Sequence, residues 1–111
     1  MEISQEAKEI IENSSYQNEL KKIIEYTKGQ LKINSIELNA VQWTVLINHL
    51  KEMIDRKKEG GSIPEVDPTM FSEVSSNSLT IADNIVKNIG DLSEDEKYIL
   101  SIHFEAAKTN N

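Results

Sequence analysis

Apolar residues recur at three- and four-residue intervals along nearly the whole chain, the spacing of one buried helix face. Ile3, Ala7, Ile10 and Ile11 form a first stripe, and Leu20, Ile23, Ile24 and Leu31 form a second. The polar run Asn13-Ser14-Ser15 between them is either a break or a kink. Asn34 followed by Glu37 has the spacing of a capping box and predicts a long helix from about Ile36 to Glu59. The apolar stripe of that helix is Leu38, Val41, Val45, Leu46, Leu50, Met53 and Ile54. Lys57 and Lys58 fall in its last turn, where cations favour the dipole, and Gly60-Gly61 stops it.

A linker around Pro64 follows. Asp67-Pro68 reads as an N-cap and first helical position, predicting a short helix through about Val74. The polar run Ser75-Ser76-Asn77-Ser78 interrupts the pattern. A fourth helix carries Leu79, Ala82, Ile85, Val86 and Ile89 and ends at Gly90. Ser93 with Glu96 has the form of a second capping box, opening a last helix that runs to about Lys108. No stretch alternates with period two, and no longer repeat recurs. The expected fold class is all-α, a compact bundle of about five helices forming one domain over residues 1–111.

Length and charge narrow the function. A chain of 111 residues buries roughly two-thirds of its extended surface, enough for one core. Twelve Lys and Arg against nineteen Asp and Glu leave a net charge of −7. A nucleic-acid binder needs a basic face to neutralise phosphates, so direct binding of DNA or RNA is not expected. With no cysteine there is no disulfide framework, thiolate nucleophile or Cys-ligated zinc. No apolar run is long enough to span a bilayer, and no basic-then-apolar leader opens the chain. The expectation is a cytoplasmic protein that does not engage membranes.

The candidate chemistry rests on two histidines, His49 and His103, each mid-helix. Val45 and Met53 lie one turn either side of His49, and Ile99 and Ala107 flank His103 likewise. Such histidines are either partly buried core residues or reactive groups near the inner face of their helices. Arg56 lies two turns beyond His49 on the same face, where its planar fork of donors could swing back toward an anion on the imidazole. By itself it reads as a solvated arginine beside Lys57 and Lys58. Asp55 or Asp83 could join the histidines around zinc, but no i, i+4 histidine pair or His-Glu-x-x-His exists, so no metal or other cofactor is expected. The acidic run Ser93-Glu94-Asp95-Glu96 begins a helix, where negative charge is favourable without any catalytic role. Trp43, the one tryptophan, reads as core or interface. No serine lies in a nucleophile motif, and Gly60-Gly61 follows a helix rather than opening one around a phosphate.

Two segments together resemble a known family. Leu46-Ile47-Asn48-His49-Leu50, then Arg56 and Gly60, is similar to the first histidine motif of the PTS regulation domain, or PRD. The segment from Leu92 to Phe104, with Glu96, Tyr98 and His103 in order, resembles its second. The resemblance covers about residues 15–108, and the motifs stand in the family's order. Asn48 occupies a place where the family often has an acidic residue.

What the resemblance implies is a five-helix bundle that often dimerises. In that family the motif histidines accept phosphoryl groups from components of the bacterial sugar phosphotransferase system, which switches a transcription regulator. Carried over residue by residue, His49 and His103 would be phosphoacceptors, with Arg56 near the phosphate on His49. The donor would be a histidine phosphocarrier or a sugar-permease component. The chain has room for one copy of the domain, whereas such regulators usually carry tandem copies and a nucleic-acid-binding domain. The expectation is therefore a small homodimeric regulatory protein, not an enzyme, that acts through a partner protein. The alternative is an unphosphorylated helical scaffold with core histidines.

Overall fold

In the computed structural model, which describes residues 3–110, the chain forms five α-helices and one 3-10 turn. Residues 1, 2 and 111 of the expected domain lie outside the described residues. The helices are α1 (Gln5–Asn13), α2 (Gln17–Ile33), α3 (Ala40–Glu59), α4 (Ser76–Ile89) and α5 (Glu96–Ala107), and no strand occurs among the described residues. The all-α bundle read from the periodicity is therefore the observed architecture. Helix α3 packs against α1, α2 and α5, while α4 packs against α2 and α5. The core between them is made of the buried faces: Leu20, Ile23, Ile24 and Leu31 of α2, Leu46, Ile47, Leu50, Met53 and Ile54 of α3, Ile81, Ile85 and Ile89 of α4, and Leu100 and Phe104 of α5.

The run at Asn13-Ser14-Ser15 is a break: α1 ends on Ser14, whose extended backbone turns the chain before α2 begins. The third helix starts four residues later than expected, at Ala40 rather than about Ile36. Asn34 closes α2 rather than opening α3, since its backbone N–H and side-chain amide both donate to the Gln30 carbonyl. Ser35 then adopts a left-handed φ of 56°. The true capping box is Asn39 with Gln42, each side chain accepting from the other residue's backbone N–H at 2.9 and 3.0 Å. Leu38 thereby precedes the helix and packs on the core from outside it.

The stripe of α3 is also rotated from the expected one. Trp43 and Ile47 are buried, whereas Val41 and Val45 are 73% and 53% exposed. Both stripes satisfy helical spacing, and the choice between them is made by the neighbouring helices. Gly60 takes the left-handed C-cap with φ 73°, as the Gly-Gly stop required.

The expected short helix after Pro68 is a single 3-10 turn, Pro68–Phe71, capped by the Asp67 side chain. The polar run at 75–78 is the first turn of α4, with Ser75 as its N-cap accepting from Ser78 N–H. Ser and Asn at a helix start satisfy donors that have no intrahelical partner, so they belong to the helix they were expected to interrupt.

The second predicted capping box does not form. Glu96 is the first residue of α5, its N-cap Asp95 makes no side-chain cap, and Ser93 Oγ accepts from the Asp95 N–H instead. The Glu96 carboxylate is turned inward, away from the helix end.

Candidate histidine site

His49 lies on α3 and His103 on α5, 54 residues apart in sequence, and the α3–α5 contact brings their rings together. Nδ1 of His49 is 2.8 Å from Nε2 of His103, a hydrogen bond between imidazoles, with ring centroids 5.0 Å apart and planes tilted by 52°. Neither ring is an enclosed core group; both are partly buried. Their outer nitrogens, Nε2 of His49 and Nδ1 of His103, have no hydrogen-bond partner among the described residues. Among those residues the one buried side-chain nitrogen or oxygen lacking a partner is Thr27 Oγ1. The two outer nitrogens are therefore not fully sealed from solvent.

Burial pushes the His49 pKa below its ordinary value, with the Arg56 charge adding to the fall and Glu96 opposing it. His103 is pushed down to about 4, by burial first and by His49 second. Both rings are accordingly neutral near pH 7, each with one nitrogen lone pair and one N–H.

Arg56 follows His49 by two turns along α3. Its guanidinium does not stand free as a solvated arginine would. Nε donates to Glu96 Oε2 at 2.9 Å and Nη2 to Glu96 Oε1 at 2.7 Å, a two-point pair. The Glu96 side chain is 1% exposed and that of Arg56 22%. This pairing explains why Glu96 abandons its cap. A buried carboxylate needs a charged partner far more than a helix terminus needs one extra acceptor. Nη1 of Arg56 has no partner among the described residues and remains available.

The remaining sequence candidates disperse. Asp55 pairs with Lys51 at 2.8 Å and Asp83 with Lys87 at 2.7 Å, each on its own helix. No group of three metal-binding side chains occurs among the described residues. Asn48 is exposed and donates to Glu52 Oε1 at 3.2 Å, so the His49 ring is oriented by His103 rather than by its chain neighbour. Trp43 is core. Sequence reasoning missed Glu96, whose signal was present in the second motif but was read as helix-terminal charge.

An imidazole pair of this kind can exchange a proton internally while presenting one nucleophilic nitrogen outward. The neighbouring Arg56 supplies a positive charge that can offset a dianion. Those are the elements needed to accept a phosphoryl group.

Residues 21–107 match the family model described as PRD domain, which includes both histidines, Arg56 and Glu96. The fold is similar to the crystal structure of a PRD-containing transcription regulator from Lactobacillus casei ATCC 334, with a TM-score of 0.93 and 45% sequence identity. That alignment covers 97% of this chain and 96% of the other. No curated protein matches this chain.

Proposed function

We propose, starting from the fact that this chain belongs to the PRD family, that it is a phosphorylation-responsive regulatory module rather than an enzyme. PRD domains are regulatory and linked to the sugar phosphotransferase system, and the finer reading concerns what the histidines do here. His49 and His103 are the phosphoacceptors, with His49 the principal one and Arg56 assisting it. The observation that carries this is the hydrogen-bonded pair of neutral rings, which leaves one unprotonated outer nitrogen that is not sealed from solvent. A neutral imidazole is nucleophilic, and moving a phosphoryl group from another imidazole is close to isoenergetic, so positioning and charge are what the site must supply.

Adding nearly two negative charges beside a partly apolar helix face perturbs what packs there. The two helices that carry the pair also carry exposed apolar side chains. Val41 and Val45 on α3 and Ile99 and Ile102 on α5 are 73%, 53%, 39% and 49% exposed, on the two helices that carry the histidines. Exposed apolar side chains on both histidine-bearing helices support a homodimer, in which modification of both copies biases one shared interface. The output is altered contact with a partner protein or transcriptional regulator. The acidic composition supports no direct role for nucleic acid.

The test is incubation with a phosphorylated histidine carrier protein, followed by intact-mass measurement before and after acid treatment. A gain of one phosphoryl mass that disappears in acid is expected, because phosphohistidine is acid-labile. No gain with any carrier or permease component overturns the reading in favour of a helical scaffold with structural histidines.

A further inference from the structure

We infer that His103 is the proton acceptor for His49, so that the phosphoryl group enters at Nε2 of His49 and the Nδ1 proton leaves through the hydrogen bond to His103 Nε2. This deepens, and for its biological setting rests on, the reading of the site as a phosphoacceptor.

Two neutral imidazoles joined by one N–H···N bond have only two arrangements. If His49 Nδ1 donates, His49 Nε2 is bare, and His103, accepting at Nε2, has its proton on Nδ1. If His103 Nε2 donates, the bare nitrogen is His103 Nδ1, and His49 Nε2 is protonated. In both arrangements the inner nitrogens, 2.8 Å apart, are occupied by each other, so neither is offered to an incoming phosphorus atom. The pair presents outward one lone pair and one N–H at a time.

Arg56 distinguishes the two rings. Its charge bears on His49 and its Nη1 is not engaged by Glu96, while no cationic side chain among the described residues bears on His103. The productive arrangement is thus the one that bares Nε2 of His49.

The step then balances. The Nε2 lone pair of His49 attacks phosphorus, and the N–P bond forms as the donor's P–N bond breaks, its electron pair leaving with the donor nitrogen. Left alone, the product ring would be a cationic phosphoimidazolium. The Nδ1 proton passes to His103 Nε2, His103 releases its own Nδ1 proton to solvent, and the donor nitrogen takes one proton from solvent. The hydrogen bond survives with its direction reversed, His103 Nε2 now donating to His49 Nδ1. His103 therefore acts as a positioning residue and proton acceptor toward a nucleophile on another helix, as a base does for a hydroxyl.

The experiment uses potassium phosphoramidate as donor, which needs no partner protein and releases ammonia. The full chain, labelled with 15N-histidine, is phosphorylated, and long-range 1H–15N correlation spectra identify the modified nitrogen. Wild type is expected to be modified at Nε2 of His49. In His103→Gln, whose amide oxygen can accept from Nδ1–H but cannot take the proton, modification stays on Nε2 but slows by on the order of tenfold or more. In His103→Ala the inner nitrogen is freed, and the label divides between Nδ1 and Nε2 of His49. Circular dichroism and thermal melts establish that both variants are folded. Modification of wild type at Nδ1 of His49, a His103→Ala protein identical to wild type in rate and nitrogen, or no modification by phosphoramidate overturns the inference. If phosphoramidate modifies Nε2 as described but no phosphocarrier does, the inference stands and the regulatory reading fails.

Discussion

Arg56 and Glu96, 40 residues apart in sequence, hold each other through two hydrogen bonds of 2.9 and 2.7 Å and fasten the C-terminal part of α3 to the first turn of α5. The two partners are unequally buried, so their removal has unequal consequences. Arg56→Ala leaves a carboxylate enclosed without a counter-charge, and is expected to lose about 3 kcal/mol of stability. Glu96→Ala leaves an arginine that can still reach water, and is expected to lose about 1–2 kcal/mol. The double replacement Arg56→Met with Glu96→Leu is expected to fall well short of the sum of the two, which urea denaturation of the four proteins measures.

Acid stability is expected to decline over two successive ranges that meet just above pH 4. His103 has its folded pKa lowered to about 4, from burial first. The unfolded chain therefore binds more protons as pH falls from about 6.5, and stability is lost between there and about 4, by on the order of 2 kcal/mol. His103→Gln makes the loss in that range shallower, and the remainder belongs to His49, whose pKa burial also lowers.

Glu105 produces the second range. Its Oε1 accepts from Ser75 Oγ at 2.7 Å and Ser78 Oγ at 2.9 Å, and the bond to Ser75 is the largest cause of a pKa lowered to about 2. Its contribution is present in full above the ordinary carboxylate range and disappears as pH falls from about 4.5 through about 2. Glu105→Gln is expected to remove the pH dependence in that lower range and leave the histidine range unchanged, as seen in thermal melts at stepped pH.

Two glycines should respond to alanine in opposite directions. Gly29 lies inside α2 with nothing within 4 Å of where a Cβ would stand. Gly29→Ala is expected to stabilise by about 0.5–1 kcal/mol. Gly60 holds a left-handed φ of 73° at the end of α3, and Gly60→Ala is expected to destabilise by about 1 kcal/mol despite equally open space. Equilibrium unfolding distinguishes a backbone effect of this kind from packing.

The parts of this fold that could be read in the sequence are those with local causes. Gly60 had to end a helix whose last turn held Lys57 and Lys58, and the periodicity of Leu20, Ile23, Ile24 and Leu31 gave one buried face. What could not be read was decided by tertiary competition. Asn34 and Asn39 are both adequate N-caps, and Asn34 was taken by the end of α2. Val45 and Ile47 are both apolar and helically spaced, and only the placement of α1, α2 and α5 around α3 selects Ile47 for burial. Glu96 has the spacing for a cap, but pairing with Arg56 outweighs it. The histidines were legible as candidates because each stood mid-helix among apolar residues. Their direct contact was not legible, since no local pattern fixes how α3 and α5 meet.

Self-association offers a further test of the proposed interface. Two copies of a chain with net charge −7 repel each other, so apolar association should strengthen with salt over the range where repulsion is screened. Sedimentation equilibrium is expected to show a dimer that tightens from low to moderate salt, and Val45→Glu or Ile102→Glu should weaken it. A monomer at all salt concentrations contradicts the homodimer.

The most direct test of the central claim is the amount of acid-labile phosphoryl group that a phosphorylated histidine carrier places on wild type, His49→Ala and the His49→Ala, His103→Ala double variant, read by intact mass. The account predicts full labelling of wild type, loss of all or most of it in His49→Ala, and none in the double variant. Labelling of the double variant to the wild-type level contradicts it.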